Sequence, residues 1–139
     1  MNILFSPLIW GCMLFVTSLA SGQEAVESPV PDAEVSRAQF TTEIVNREPV
    51  DRVVTLMNDQ DTIYYFTEIR NLEGRTVIHR WEHDGMLVSE VPFKVSGPRW
   101  RVFSKKHLSP TMTGKWTVLV MDQSGWPLHA SIFEYQPTN

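Results

Sequence analysis

The stretch TVIHRWEHDGMLVSEVPFKV, from Thr76 to Val95, decides the fold class. Its first half divides by parity, with Val77, His79, Trp81 and His83 on one face and Thr76, Ile78, Arg80 and Glu82 on the other. A period of two belongs to an extended chain, whose successive side chains point to opposite sides. Asp84-Gly85 then predicts a two-residue hairpin turn. A type I′ turn needs positive φ at both central positions, which Asp and Gly tolerate. Met86 to Val95 returns as the second strand. Pro92 lacks an N–H, so this return is expected at a sheet edge, bulged, or split into two short strands.

Upstream, Ile63 to Ile69 is the strongest strand in the chain, with aromatic residues on both parities at its start. That pattern predicts a central strand covered on both faces over at least its first half. Over residues 35–45, Ala38, Phe40 and Ile44 oppose Arg37, Gln39 and Glu43, predicting a half-buried strand that Glu48-Pro49 breaks. Val53 to Leu56 is a short β-branched strand, and Asn58 to Asp61 a polar turn. Downstream, Gly97-Pro98 turns into Arg99–Phe103, and a longer loop from Lys105 to Gly114 leads to Trp116–Met121. Asp122 to Gly125 closes a last hairpin to Trp126–Tyr135. No convincing helix interrupts this series. The expected fold is all-β, an immunoglobulin-like antiparallel β-sandwich of about 7–8 strands.

The 139 residues carry 12 Lys and Arg against 16 Asp and Glu, with 42% hydrophobic and 20% charged residues. These values exclude a disordered polyelectrolyte, a collagen-like chain and a multi-pass membrane protein. The charge is unevenly placed. Residues 1–23 have no charged side chain, while Glu24, Glu27, Asp32 and Glu34 stand without a nearby base. The remaining chain holds 12 acids and 12 bases. A neutral domain gives no electrostatic reason to expect nucleic acid as a partner.

Ile3 to Ala20 is a mostly apolar run ending in the small residues Ser18, Ala20, Ser21 and Gly22. It reads as an export signal cleaved after Ala20, or alternatively after Gly22. The alternatives are an uncleaved inner-membrane anchor over residues 3–20 and lipidation at Cys12, the only cysteine. The expected organisation is a signal peptide over 1–20, an acidic Pro-containing linker over 21–34 and a β-sandwich domain over 35–139. The expected location is periplasmic or secreted, with no stable membrane span after cleavage. Cleavage after Ala20 would leave a thiol-free protein, excluding disulfide, CxxC metal and thiolate chemistry.

Several motifs resemble the bacterial domain-of-unknown-function family 2914. They are Val35-Ser36-Arg37-Ala38, Arg47-Glu48-Pro49-Val50, Tyr65-Phe66-Thr67-Glu68-Ile69 and His79-Arg80-Trp81. Trp100-Arg101-Val102-Phe103-Ser104 and Gly114-Lys115-Trp116-Thr117-Val118 follow, with Asp122 and Gly125 after them. The motifs spread over nearly all of residues 35–135. The resemblance implies an exported Gram-negative domain without assigned activity, and it supplies no catalytic residue.

No catalytic motif emerges from the residues themselves. His79 and His83 lie four apart on one strand, so their Cα atoms stand about 13 Å apart and cannot clasp one metal ion. Asp59-Gln60-Asp61 lacks the Gly and closing Glu of a calcium loop. Ser104 has no nucleophile elbow around it. No metal and no cofactor is expected. One patch stands out on paper: Arg80, Trp81, Trp100, Arg101 and Lys105. Aromatic faces beside guanidinium forks suit sugars, carboxylates or phosphates. The alternatives are tryptophans in the core and arginines satisfying acids such as Glu68 or Glu82. The functional expectation is an envelope interaction module, binding protein or polysaccharide through a strand edge or this patch. A structural accessory domain and an envelope hydrolase are the other readings.

Overall fold

A computed structural model describes residues 32–139, and they form ten strands. In chain order these are β1 (Glu34–Thr41), β2 (Ile44–Val45), β3 (Glu48–Pro49), β4 (Thr55–Met57), β5 (Thr62–Arg70), β6 (Thr76–His83), β7 (Met86–Lys94), β8 (Arg99–His107), β9 (Gly114–Asp122) and β10 (Pro127–Gln136). The fold is an all-β sandwich. One sheet has the order β1-β5-β8, and the other β4-β10-β9-β6-β7; β2 and β3 form a small separate hairpin. The signal, anchor and lipidation readings fall on residues outside those described. Among the described residues no helix is long and apolar enough to cross a membrane.

The local expectations at the deciding hairpin hold. Asp84 and Gly85 take φ of 47° and 81°, and β6 pairs antiparallel with β7 from Thr76↔Lys94 to His83↔Met86. β7 is an edge strand, which is where Pro92, in regular register opposite Ile78, is tolerated; its register shift lies further along, between Leu87 and Ser89 opposite Trp81/Glu82. β5 lies between β1 and β8, as its two-sided apolar pattern requires. The last hairpin is held by Asp122, whose Oδ1 accepts hydrogen bonds from the Ser124 N–H (2.9 Å), the Ser124 hydroxyl (2.6 Å) and the Trp126 N–H (3.0 Å).

Three expectations are corrected. First, the opening strand stops at Thr41. The Asp51 carboxylate accepts hydrogen bonds from the Thr41 hydroxyl (2.6 Å), the Thr42 N–H (2.8 Å) and the Thr42 hydroxyl (2.6 Å), bending the chain there. Ile44 then starts a new hairpin, and Glu48-Pro49 is its returning strand rather than a break. Asn46 and Arg47 both have positive φ, 51° and 61°. Arg in this turn position hid it from the sequence, since Gly is the usual signal. Second, the sandwich is not wholly antiparallel, because β4 pairs parallel with β10 through Glu134↔Thr55, Tyr135↔Leu56 and Gln136↔Met57. Third, β8 does not end at Phe103. It continues through Lys105 and Lys106 to His107, in unbroken register with β5.

Aromatic rings from both sheets meet between them. Phe40 of β1 lies 4.7 Å from Tyr65 of β5 and 4.7 Å from Phe133 of β10, and 5.9 Å from Trp81 of β6. Such pairs add directional contact to large apolar burial, which fixes how the two sheets face each other. One polar cluster sits inside this core. His79 shares hydrogen bonds with the Thr67 hydroxyl (2.9 Å) and the Ser104 hydroxyl (2.8 Å), and Trp81 Nε1–H donates to Ser104 (3.1 Å). The set ties β6 of one sheet to β5 and β8 of the other, with every buried side-chain polar atom among the described residues satisfied.

Candidate functional site: the arginine face of the three-stranded sheet

The register of the three-stranded sheet brings four arginines together on its outer face. Arg37 of β1 and Arg101 of β8 are both paired with Glu68 of β5, and Arg70 is paired with Arg99 one row away. Residues directly opposite on one face are neighbours, so the row is a built cluster rather than a coincidence of sequence. Glu68 is the hub. It is only 2% exposed, and its carboxylate takes Arg99 at 2.8 Å, Arg70 at 3.5 Å, and the Ser36 hydroxyl at 2.7 Å. Burial pushes its pKa up, but the bonds from Arg99 and Ser36 outweigh that and hold it below the ordinary carboxylate value.

Glu48, carried on the β2–β3 hairpin, is the second acid. Arg37 forks onto it at 2.7 and 3.2 Å, and Arg101 reaches it at 2.6 Å. These bonds, that from Arg37 first, lower its pKa to about 2. The same hairpin lays Arg47 over the Trp100 ring, 5.5 Å from its centroid, and donates from Arg47 to the Arg101 carbonyl at 3.2 Å. Below the arginine rows, Arg37 covers the Phe66 ring at 4.9 Å, and Lys105 lies 5.8 Å from the Tyr64 ring. Arg37→Ala is expected to move the Glu48 titration upward toward the ordinary carboxylate range in an NMR pH series. An unmoved Glu48 would show that the fork is not what lowers it.

The structure divides the patch drawn from the sequence. Arg101 and Lys105 do share the outer face of β8. Trp100 has the opposite parity and is half-buried against the core. Trp81 is fully buried between the sheets. Arg80 belongs to the other sheet, where it pairs with Glu82 (3.0 Å) and Glu90 (3.5 Å). The five residues therefore form no single surface, because β6 and β8 lie in different sheets and Trp81 faces inward. Arg101 is 32% exposed with its head on Glu48, so it is neither free nor stranded in the core. The sequence reading missed Arg37, Arg70, Arg99 and Glu48. The parity of Arg99 and Arg101 was legible; that Lys105 continues the same strand face was not, nor were the strands that lie beside them.

No histidine, carboxylate and cysteine grouping able to hold a metal occurs among the described residues. A separate cavity of about 460 Å³ lies at the end of β8, lined by residues including Val88, Lys106, Met112 and Trp116. Residues 74–135 match the family model described as "Protein of unknown function (DUF2914)". Over that stretch the chain resembles DUF2914. The matched residues begin at Gly74 and end at Tyr135, so they span β6 to β9 and nearly all of β10. Of the arginine face, the DUF2914 match includes Arg99, Arg101 and Lys105, whereas Arg37, Glu48, Glu68 and Arg70 precede it. No curated protein matches the chain.

Proposed function

We propose that this domain is an exported interaction module that takes an anionic envelope partner on the outer face of its three-stranded sheet. The observation that carries this reading is a charge surplus in a built site. Four guanidinium groups, of Arg37, Arg70, Arg99 and Arg101, and the Lys105 ammonium share this face with three carboxylates, Glu48, Glu68 and Glu34, the last standing opposite Arg70. The heads are reachable as well as oriented, with Arg99 61% exposed. A guanidinium already held in its plane by one carboxylate loses little further freedom when it bonds a second anion. Export rests on the N-terminal apolar run and its small-residue boundary.

A structural reading is favoured by one observation: buried Glu68 needs cations, and the cluster supplies them. The two readings differ in what added anion does. Polygalacturonate, a carboxylate polymer, is expected to shift the arginine Nε–H resonances of Arg99 and Arg101, with the effect fading as salt rises. Neutral dextran is expected to leave them in place. Shifts that are equal for both polymers, or absent for both, would overturn the anionic reading and leave the cluster as structure alone.

A further inference from the structure

The arginine face ends at a strand edge with unused main-chain groups. At one end of β8 the Pro98 carbonyl accepts the Asn71 N–H (2.9 Å), and at the other the Leu108 N–H donates to the Asp61 carbonyl (2.6 Å). Asn71 and Asp61 flank β5, so even-numbered residues of this unbroken segment turn their main chain toward β5. Odd-numbered residues turn theirs the other way. The Arg101 carbonyl accordingly meets the Arg47 side chain rather than β5. Beyond it, the main-chain groups of Phe103 and Lys105 face the free side, because β8 is the last strand of its sheet among the described residues.

We infer that the β8 edge over Phe103–His107 takes an extended acidic segment of another protein as an added strand. This rests on the anionic-partner reading above and names the partner's class. Charge sets that class. β8 carries Arg99, Arg101, Lys105 and Lys106 and no acid. Cations on an edge discourage pairing with neutral or basic strands, and two copies of β8 would place like charges side by side, so a second copy of this chain is disfavoured. An acid-bearing strand meets the same charges favourably.

The two faces of the incoming strand would differ. Side chains on the outer face meet Lys105 and Arg101, which flank Phe103, itself 40% exposed. Side chains on the other face turn toward the cavity, where Val88, Met112 and Trp116 offer apolar wall and Lys106 is hydrogen-bonded to Ser89 at 3.3 Å. The partner is therefore an amphipathic strand, with acids and apolar residues alternating. Main-chain bonds supply affinity in such a mode, and the alternating side chains supply selectivity.

The test is titration of the purified protein with a synthetic peptide alternating Glu and Val, read by amide hydrogen exchange and affinity. The Phe103 and Lys105 amides are expected to become protected. Phe103→Pro removes a free-side N–H without removing a bond to β5, and is expected to weaken binding by about tenfold or more while the fold, read by circular dichroism, is retained. Lys105→Glu, on an exposed side chain, is expected to weaken binding comparably, and decides the matter if the proline variant does not fold. Peptide binding that leaves both amides unprotected, or that both variants leave unchanged, overturns strand addition. Binding of polygalacturonate without binding of the peptide overturns this inference and leaves the anionic-face reading standing. Binding of neither overturns both.

Discussion

Trp116→Ala is expected to lower unfolding free energy by about 3–5 kcal/mol, the usual cost of removing a large aromatic side chain from a packed core. Trp116 is 1% exposed, stacks within 12° of parallel on Phe133 at 6.2 Å, and has His83 at 4.8 Å. Its Nε1–H also donates to the Met112 carbonyl at 2.9 Å, anchoring the loop between β8 and β9. The substitution removes both the volume and that anchor. Domains of this size are stable by only about 5–15 kcal/mol in total, so the variant should melt far below the parent. Urea unfolding checks it, and a loss under about 1 kcal/mol would mean that Trp116 is not core.

Stability is also expected to fall on mild acidification, and His79 is the reason. Burial in the core lowers its pKa to about 3 from an ordinary 6.5. Between those values the unfolded chain binds a proton at this site and the folded chain does not. The neutral imidazole's contribution is therefore complete above pH 6.5 and declines as pH falls, by about 1.4 kcal/mol per pH unit. The decline ends near pH 3. The shifted carboxyls, Glu48, Glu68, Asp51 and Asp122, are all lowered. Their stabilisation is lost only below the ordinary carboxylate range, which leaves pH 6.5 to about 4.5 to His79. Urea unfolding at several pH values across that window should show the slope in the parent and a much flatter line in His79→Leu. An equal slope in both would place the acid sensitivity elsewhere.

The partition of information follows from the range of each interaction. Strand parity and turn chemistry are local, so they were legible: Thr76–His83 alternates, Asp84-Gly85 turns with two positive φ values, and Ile63–Ile69 is covered on both sides. The same locality failed where the signal residue was unusual. Arg47 at positive φ concealed the β2–β3 hairpin, and the Asp51 carboxylate, distant in sequence, ends β1 at Thr41. The unbroken continuation of β8 to His107 came from pairing with β5, not from the propensity of its lysines.

The candidate site divides in the same way. By itself the sequence determined that this is an all-β chain with Arg99 and Arg101 on one parity of a strand. It could not say which strands would lie beside them. Only the tertiary structure sent Arg80 to one sheet and Arg101 to the other, buried Trp81, and gathered Arg37, Arg70, Arg99 and Arg101 around Glu68 and Glu48. The physical reason is that a strand's alternation specifies two faces but not a neighbour. The neighbour is chosen by long-range register, which is settled by the fit of the two main sheets around one aromatic core.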